Sequence, residues 1–283
     1  MIGVAFDGTG YGTDGTIWGG EFLIANLSGF LRAGHLAPVR MPGGAAAVRQ
    51  PWRMAAAYLD ALDWEIAGLD VARRNAARWD AIVSMARREV NAPLTSSTGR
   101  LFDAVAALLG VRDEIHYEGQ AAIELEQLAD PGETGTYRAA LETSPVAAGE
   151  PFLVRGTDLV GAVVADLAAG VPAELIAARF HNGVAALIED GCALLREEHG
   201  LSTVALSGGV FQNLLLLRRT VARLEANGFT VLTHSRVPCN DGGISLGQAV
   251  VAASSTDLLF RCRGSGERPE HERILSSERV QRQ

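Results

Sequence analysis

Three stretches of this chain bring carboxylates and glycines together where a backbone can wrap a ligand. Asp7-Gly8-Thr9-Gly10-Tyr11-Gly12 follows the short apolar run Gly3-Val4-Ala5-Phe6. An aspartate at a strand end, with glycines spaced by two behind it, offers a hard oxygen donor and a backbone free of Cβ atoms. That combination suits a polyphosphate or a metal ion, and a plain Gly-rich hairpin would also produce it. Ser207-Gly208-Gly209 closes a second apolar run, Val204-Ala205-Leu206, and a long apolar segment opens at Leu214. This is the pattern of a buried strand, a Gly-Gly turn and a helix whose first free N–H groups and positive dipole end aim at the turn. A nucleotide or another anion fits such a corner, as does a turn that needs glycine only for packing. Cys239-Asn240-Asp241-Gly242-Gly243 repeats the theme, with an acid and paired glycines at a strand–helix junction.

The elements that must carry these stretches can be read in order. Gly3–Phe6 is a strand, and Asp14-Gly15 before Thr16-Ile17-Trp18 is a hairpin signal. Gly20 to Leu27 reads as a third strand of the same small sheet. Apolar residues at spacings of three and four predict helices over Trp52–Leu62 and Val71–Val90. A polar turn, Asn91 to Gly99, leads to a helix from Arg100 to Leu109 that Ser97 or Thr98 can cap. On that helix Asp103 falls among the polar interruptions, where a solvated first-turn acid is the ordinary reading. Glu118-Gly119-Gln120 opens another helix, and Tyr137–Leu141 with Phe152–Arg155 can pair as strands. Gly156–Ala169 and Ala173–Glu198 are helical. His181 borders the apolar face of the second, where a satisfied structural histidine is the expected role, since no metal-ligand type sits i, i+4 from it. Phe229–Thr233 reads as a buried strand and Ile244–Ala253 as a helix. Strands first, then helices, then βαβα make an α/β fold, a mixed sheet with flanking helices. Residues 1–254 form the predicted lobe; 255–283, charged and poor in large apolar residues towards its end, reads as a disordered tail.

Composition removes several function classes. With 283 residues the chain has ample length for a core. A formal charge of −8 argues against a sequence-independent grip on nucleic acid. No apolar run approaches the roughly 20 residues that span a bilayer, and the Met1-Ile2-Gly3-Val4 start lacks the basic n-region of a signal peptide. Cys192, Cys239 and Cys262 are scattered and suit the reducing cytoplasm rather than a disulfide framework. The sequence contains no lysine. A Walker A loop, a Schiff base and a lysine base are therefore excluded, and any phosphate must be met by backbone N–H groups, arginine or a metal ion.

Five segments together carry a family resemblance: Asp7 to Gly12; Trp18-Gly19-Gly20-Glu21-Phe22; Thr95-Ser96-Ser97-Thr98-Gly99-Arg100-Leu101-Phe102-Asp103-Ala104-Val105; Tyr117-Glu118-Gly119-Gln120-Ala121-Ala122; and the pair Ser207–Asn213 with Cys239–Gly243. In this order, from about Ile2 to about Ala253, the chain resembles the carboxy-terminal part of the HypF family, carbamoyltransferases of nickel–iron hydrogenase maturation. The resemblance extends to the threonylcarbamoyl transferases that modify tRNA. It implies a lobe of the two-lobed nucleotide-binding fold shared by actin, heat-shock chaperones and sugar kinases. It further implies that carbamoyl phosphate and ATP give carbamoyl adenylate, whose carbamoyl group passes to the C-terminal cysteine of a HypE-like acceptor.

Matched position by position, Asp7 and Asp241 fall on acids that ligate a divalent metal in the family (iron, zinc and magnesium undistinguished). Gly8, Thr9 and Gly10 fall on a phosphate hairpin, Asp103 on an acid that accepts from ribose hydroxyls, and Gly119, Gly208, Gly209 and Asn213 on positions lining the nucleoside. The family's two metal-binding histidines, spaced HxxxH, have no counterpart among the six histidines here. The resemblance thus implies a second lobe holding half of the metal site and half of the nucleotide cleft, completed by a separate chain. Two other function classes stay open: a catalytically silent interaction module, and a natural-product O-carbamoyltransferase. The Gly99–Asp103 and Tyr117–Gln120 wording favours HypF over the latter.

Overall fold

The computed structural model describes residues 1–65, 67–143 and 150–264. Strand β1 (Ile2–Tyr11) turns through Gly15 into β2 (Ile17–Ala25), and β3 (Phe30–Leu36) completes an antiparallel set. After β4 (Val39–Arg40) come helices α1 (Ala45–Arg49), α2 (Trp52–Ala61), α3 (Asp70–Arg74) and α4 (Ala76–Arg87). Strand β5 (Leu94–Thr95) precedes α5 (Thr98–Leu108) and α6 (Gln120–Leu128). Strands β6 (Leu141–Glu142) and β7 (Phe152–Val154) lead to α7 (Gly156–Ala168) and the long α8 (Ala173–His199). The chain then re-enters the sheet as β8 (Thr203–Ser207), followed by a 3₁₀ turn (Gly209–Gln212), α9 (Leu214–Ala226), β9 (Thr230–Leu232), a second 3₁₀ turn (Asp241–Gly243) and α10 (Ile244–Gly264).

The sheet order is β6-β7-β3-β2-β1-β8-β9, with β5 bridging β2 and β4. β1 is its pivot, antiparallel to β2 and parallel to β8, which is in turn parallel to β9. The mixed α/β architecture expected from the sequence is therefore the one observed. Ile2, Val4 and Phe6 alternate into the core with period two and are fully buried. Phe6 meets Phe22 edge-on at 5.7 Å and stacks on Phe211 at 5.9 Å, so β1, β2 and the turn after β8 share one aromatic cluster. Helix α8 crosses β2 closely enough that a Cβ at Gly191 would lie 2.6 Å from the Phe22 ring. Helix α5 is buried on nearly every face, and its Phe102 packs edge-on against Phe180 of α8 at 4.9 Å.

Several boundaries differ from the sequence reading. Ile17–Ala25 is one continuous second strand, and the third begins only at Phe30, because Asn26 accepts from Ser28 and Gly29 to close a polar turn. The helix predicted over Val71–Val90 is broken at Asn75, whose Nδ2 donates to the Val71 carbonyl and lies within hydrogen-bond distance of Asp113. Strand β9 is an exposed edge, with Leu232 45% exposed, rather than a buried strand. Helix α10 extends to Gly264, past the predicted end at Ala253; the remainder of the expected tail, 265–283, lies outside the described residues. Among the described residues no helix is long and apolar enough to cross a membrane.

The α8–β2 contact gives a test of packing. Gly191→Ala gains about 1 kcal/mol of helix propensity but drives a methyl into the Phe22 ring, which Phe6 and Phe152 hold in place. Overpacking of about 1–3 kcal/mol outweighs the gain. The urea midpoint of the variant is expected to fall, and a midpoint that rose would show that the ring yields.

Candidate functional site

β8 ends beside the middle of β1, its last residue, Ser207, in register with Ala5. Gly208, with φ +102°, turns the chain away from β8, and a Cβ there would stand 2.0 Å from the Phe6 carbonyl oxygen. Only glycine fits this contact. The Gly208 N–H donates to the Cys239 carbonyl at 2.8 Å, which ties the 239–243 loop to the corner. A Cβ on Gly209 would be 3.2 Å from Asp7 Oδ1 and 3.8 Å from Asn240 Cβ. The three sequence stretches therefore meet: Asp7, Gly208–Gly209 and the turn that carries Asp241. Asp7 Oδ1 accepts the Gly8 N–H at 2.7 Å, while Asp241 opens its turn exposed to solvent.

The Gly8 segment is held from below by α5. Ser97 caps that helix, accepting the Arg100 N–H at 3.1 Å. The same hydroxyl lies 2.6 Å from the Gly8 carbonyl oxygen and 2.9 Å from that of Asp7, between which it donates. A Cβ on Gly99 would be 2.9 Å from Gly8 Cα, so helix and hairpin touch main chain to main chain. The β1–β2 register shifts between Phe6 and Gly10, which leaves Gly8 and Thr9 in a bulge; Thr9 is exposed and Gly10 faces Trp18. Buried Glu21 accepts from the Gly19 and Gly20 N–H groups and from Arg32, fixing the β2 side of the hairpin.

Asp103 is not a solvated acid. It is 2% exposed, with Oδ2 2.8 Å from Arg100 Nε one turn earlier on α5. Burial pushes its carboxyl up to about 6, and the neighbouring Arg100 charge opposes that rise. Periodicity places it on a polar side that α5 does not have, because α2, α6, α7 and β1 pack around the helix.

Asn213 and His181 form a unit that the sequence reading did not join. Asn213 Oδ1 caps α9 by accepting the Leu216 N–H at 2.8 Å, and its Nδ2 lies 2.9 Å from His181 Nε2. His181 is fully buried, and its Nδ1 is 2.7 Å from the Ala177 carbonyl. A carbonyl can only accept, so Nδ1 carries the proton and Nε2 accepts from Asn213. The imidazole is neutral, with burial pushing its pKa down to about 4. The structural role expected for His181 is thus observed, with the addition that it fixes the amide of a candidate site residue. Gly119, φ +75°, opens α6, which is tied to α9 through Glu126 accepting the Leu215 N–H at 3.0 Å. At the open rim, His234 Nε2 lies 3.1 Å from Ser207 Oγ.

Among the described residues no group of three or more His, Cys, Asp or Glu side chains could hold a metal ion. Asp7 and Asp241 offer carboxylate oxygens alone. Such hard oxygen donors suit a divalent ion held beside phosphate oxygens.

The family model for the second subdomain of the carbamoyltransferase Kae1-like domain matches residues 3–248. The chain belongs to this HypF family. It is 42% identical over 265 residues to a carbamoyltransferase HypF homolog of Cupriavidus necator, covering 89% of this chain and 65% of that one. HypF2 of the same organism is 40% identical over 272 residues, covering 89% and 33%. The chain thus spans between a third and two thirds of the length of these curated HypF relatives. Among solved structures, full-length HypF in its phosphate- and nucleotide-bound form superposes with a TM-score of 0.82 at 40% identity, over 89% of this chain and 39% of that one. HypF of T. kodakarensis superposes with a TM-score of 0.78 at 29% identity, over 91% and 34%.

The His181–Asn213 pair has a pH signature. An unfolded histidine takes up a proton below about pH 6.5, whereas folded His181 does so only near 4. Between these values the unfolded chain binds the extra proton, so this residue makes stability fall on acidification, by roughly 3 kcal/mol over the window. His181→Gln removes that dependence. The stability gap between wild type and variant, measured by urea unfolding, is expected to shrink from pH 6.5 to pH 4; a constant gap would contradict a buried neutral imidazole.

Proposed function

We propose that this chain forms one wall of an ATP-dependent carbamoyltransferase site acting in hydrogenase maturation. The observation that carries the reading is the meeting of Asp7, Gly208–Gly209 and the Asn240–Asp241 turn where β8 ends beside β1, in a chain of the carbamoyltransferase second-subdomain family. A nucleotide is the natural guest of such a corner, in line with a related HypF crystallised with nucleotide and phosphate. In this reading Gly8, Thr9 and Gly10 face the phosphates of ATP, and Gly119, Gly208 and Gly209 line the nucleoside. Asn213, its carbonyl spent on the helix cap, has one amide N–H left for the ligand. Asp103 accepts from the ribose hydroxyls once its side chain is uncovered. Asp7 and Asp241 hold a divalent ion, which when bound neutralises phosphate charge; their own part is to fix its place.

The chemistry is carbamoyl transfer through carbamoyl adenylate, made from carbamoyl phosphate and ATP. The C-terminal cysteine thiolate of a HypE-like acceptor attacks the carbamoyl carbon, the carbon–oxygen bond to the adenylate phosphate breaks, and AMP leaves. Backbone N–H groups at the corner are suited to receive the charge that grows on the departing phosphate. Helix α10 presents Ile244, Leu246, Val250 and Val251 to solvent. An opposing lobe is proposed to cover this face and to supply the remaining metal and nucleotide contacts. We expect the reaction in the cytoplasm.

The test supplies the opposing lobe and measures carbamoyl adenylate turnover. Asp241→Ala and Asp103→Ala are each expected to lower it by about a hundredfold or more, as loss of a charge-positioning group does. Unchanged turnover in either variant removes that residue from the site.

A further inference from the structure

The first turn of α5 carries a buried guanidinium that the fold alone does not account for. Arg100 is 6% exposed, and its Nε has no well-aligned hydrogen bond. Its Nε stands 2.8 Å from Asp103 Oδ2, yet the two are misaligned, and both atoms are left without a hydrogen-bond partner. The fully buried Thr98 Oγ1, in the same turn, is also unpartnered. The guanidinium ends at the hairpin: a Cβ on Gly8 would lie 3.8 Å from Arg100 Nη2.

A buried ion pair that serves only the fold closes its hydrogen bonds, because a desolvated charge with unmet donors is costly. This pair leaves the bond between Arg100 Nε and Asp103 Oδ2 open beneath a glycine bulge that Ser97 and Gly99 hold against the helix. Arginine is also the one fixed cation type in a chain without lysine, and its planar fork can give two parallel N–H bonds to a phosphate. We propose that Arg100 is an anion-binding residue of this site, meeting a phosphate group at the Gly8–Gly10 bulge, with Asp103 as the counter-ion that orients it. The assignment rests on the nucleotide reading above and deepens it: the phosphate contact lies on the α5 side of the hairpin.

The test is calorimetric titration of the full chain with inorganic tripolyphosphate and, separately, with ATP. Wild type is expected to bind tripolyphosphate, and Asp103→Asn to bind it at least as tightly, because Arg100 loses a competing carboxylate. The double variant Arg100→Gln/Asp103→Asn removes both charges and leaves no uncompensated ion inside. It is expected to bind tripolyphosphate about tenfold more weakly than Asp103→Asn, the loss typical of a charge-assisted hydrogen bond. Arg100→Lys should fall between, since it keeps the charge without the fork. Circular dichroism and the melting temperature establish that each variant is folded. Equal binding by the single and double Asp103→Asn variants overturns the proposal, and so does a wild type that ignores millimolar tripolyphosphate. If tripolyphosphate binding follows Arg100 while ATP binds no more tightly than tripolyphosphate, the Arg100 assignment stands and the nucleoside reading falls.

Discussion

Everything at this site depends on how closely Gly208 approaches the main chain of Phe6. With 2.0 Å between a hypothetical Cβ and the Phe6 carbonyl oxygen, the turn after β8 can pass over the main chain of β1 only as glycine. That approach lets Phe211 stack on Phe6 from the core side while Gly209 reaches Asp7 on the other. The hydrogen bond from Gly208 to Cys239 then brings in the third loop. One steric constraint therefore draws together segments more than two hundred residues apart in sequence, without a side chain having to span the gap.

The second layer of positioning is polar and buried. Ser97 joins the α5 cap to the Gly8 hairpin, Glu21 and Arg32 hold the opposite strand, and His181 with Asn213 sets the start of α9. Each unit uses up the hydrogen-bonding capacity of one residue to fix another. Rigidity of this kind suits a site that must present backbone N–H groups in a set direction, since donors already oriented need no rearrangement when charge develops. The Arg100–Asp103 pair stands apart, because the bond between its Nε and Oδ2 atoms is not closed.

Much of this was legible in the sequence, for reasons specific to each part. The β1–β2 hairpin declared itself through Asp14-Gly15 and α5 through the Ser97 cap, because turns and caps depend on local chemistry. The three glycine–acid corners were visible as residue types, and the parallel β1–β8 pairing that joins them is a tertiary fact. The solvated reading of Asp103 fails because burial of a polar residue depends on what the tertiary fold packs around it, here elements on several sides of α5. The break at Asn75 rests on Asp113, and the exposure of β9 on what lies beyond the sheet edge; neither leaves a trace in the local pattern. His181 could be read as structural, but its partner Asn213 lies thirty-two residues away, so no spacing rule joins them.

A chain that takes all of its fixed positive charge from arginine holds that charge almost unchanged across the accessible pH range. Guanidinium groups do not release a proton below about pH 12, whereas lysines would begin to do so near 10. The ion pairs of Arg179 with Asp166 and Glu133 therefore keep their cationic partner in alkali, the two carboxylates holding the guanidinium pKa above its ordinary value. Their weakness lies on the other side, where the carboxylates take up protons. The electrostatic framework thus has an acid limit and almost no alkaline one.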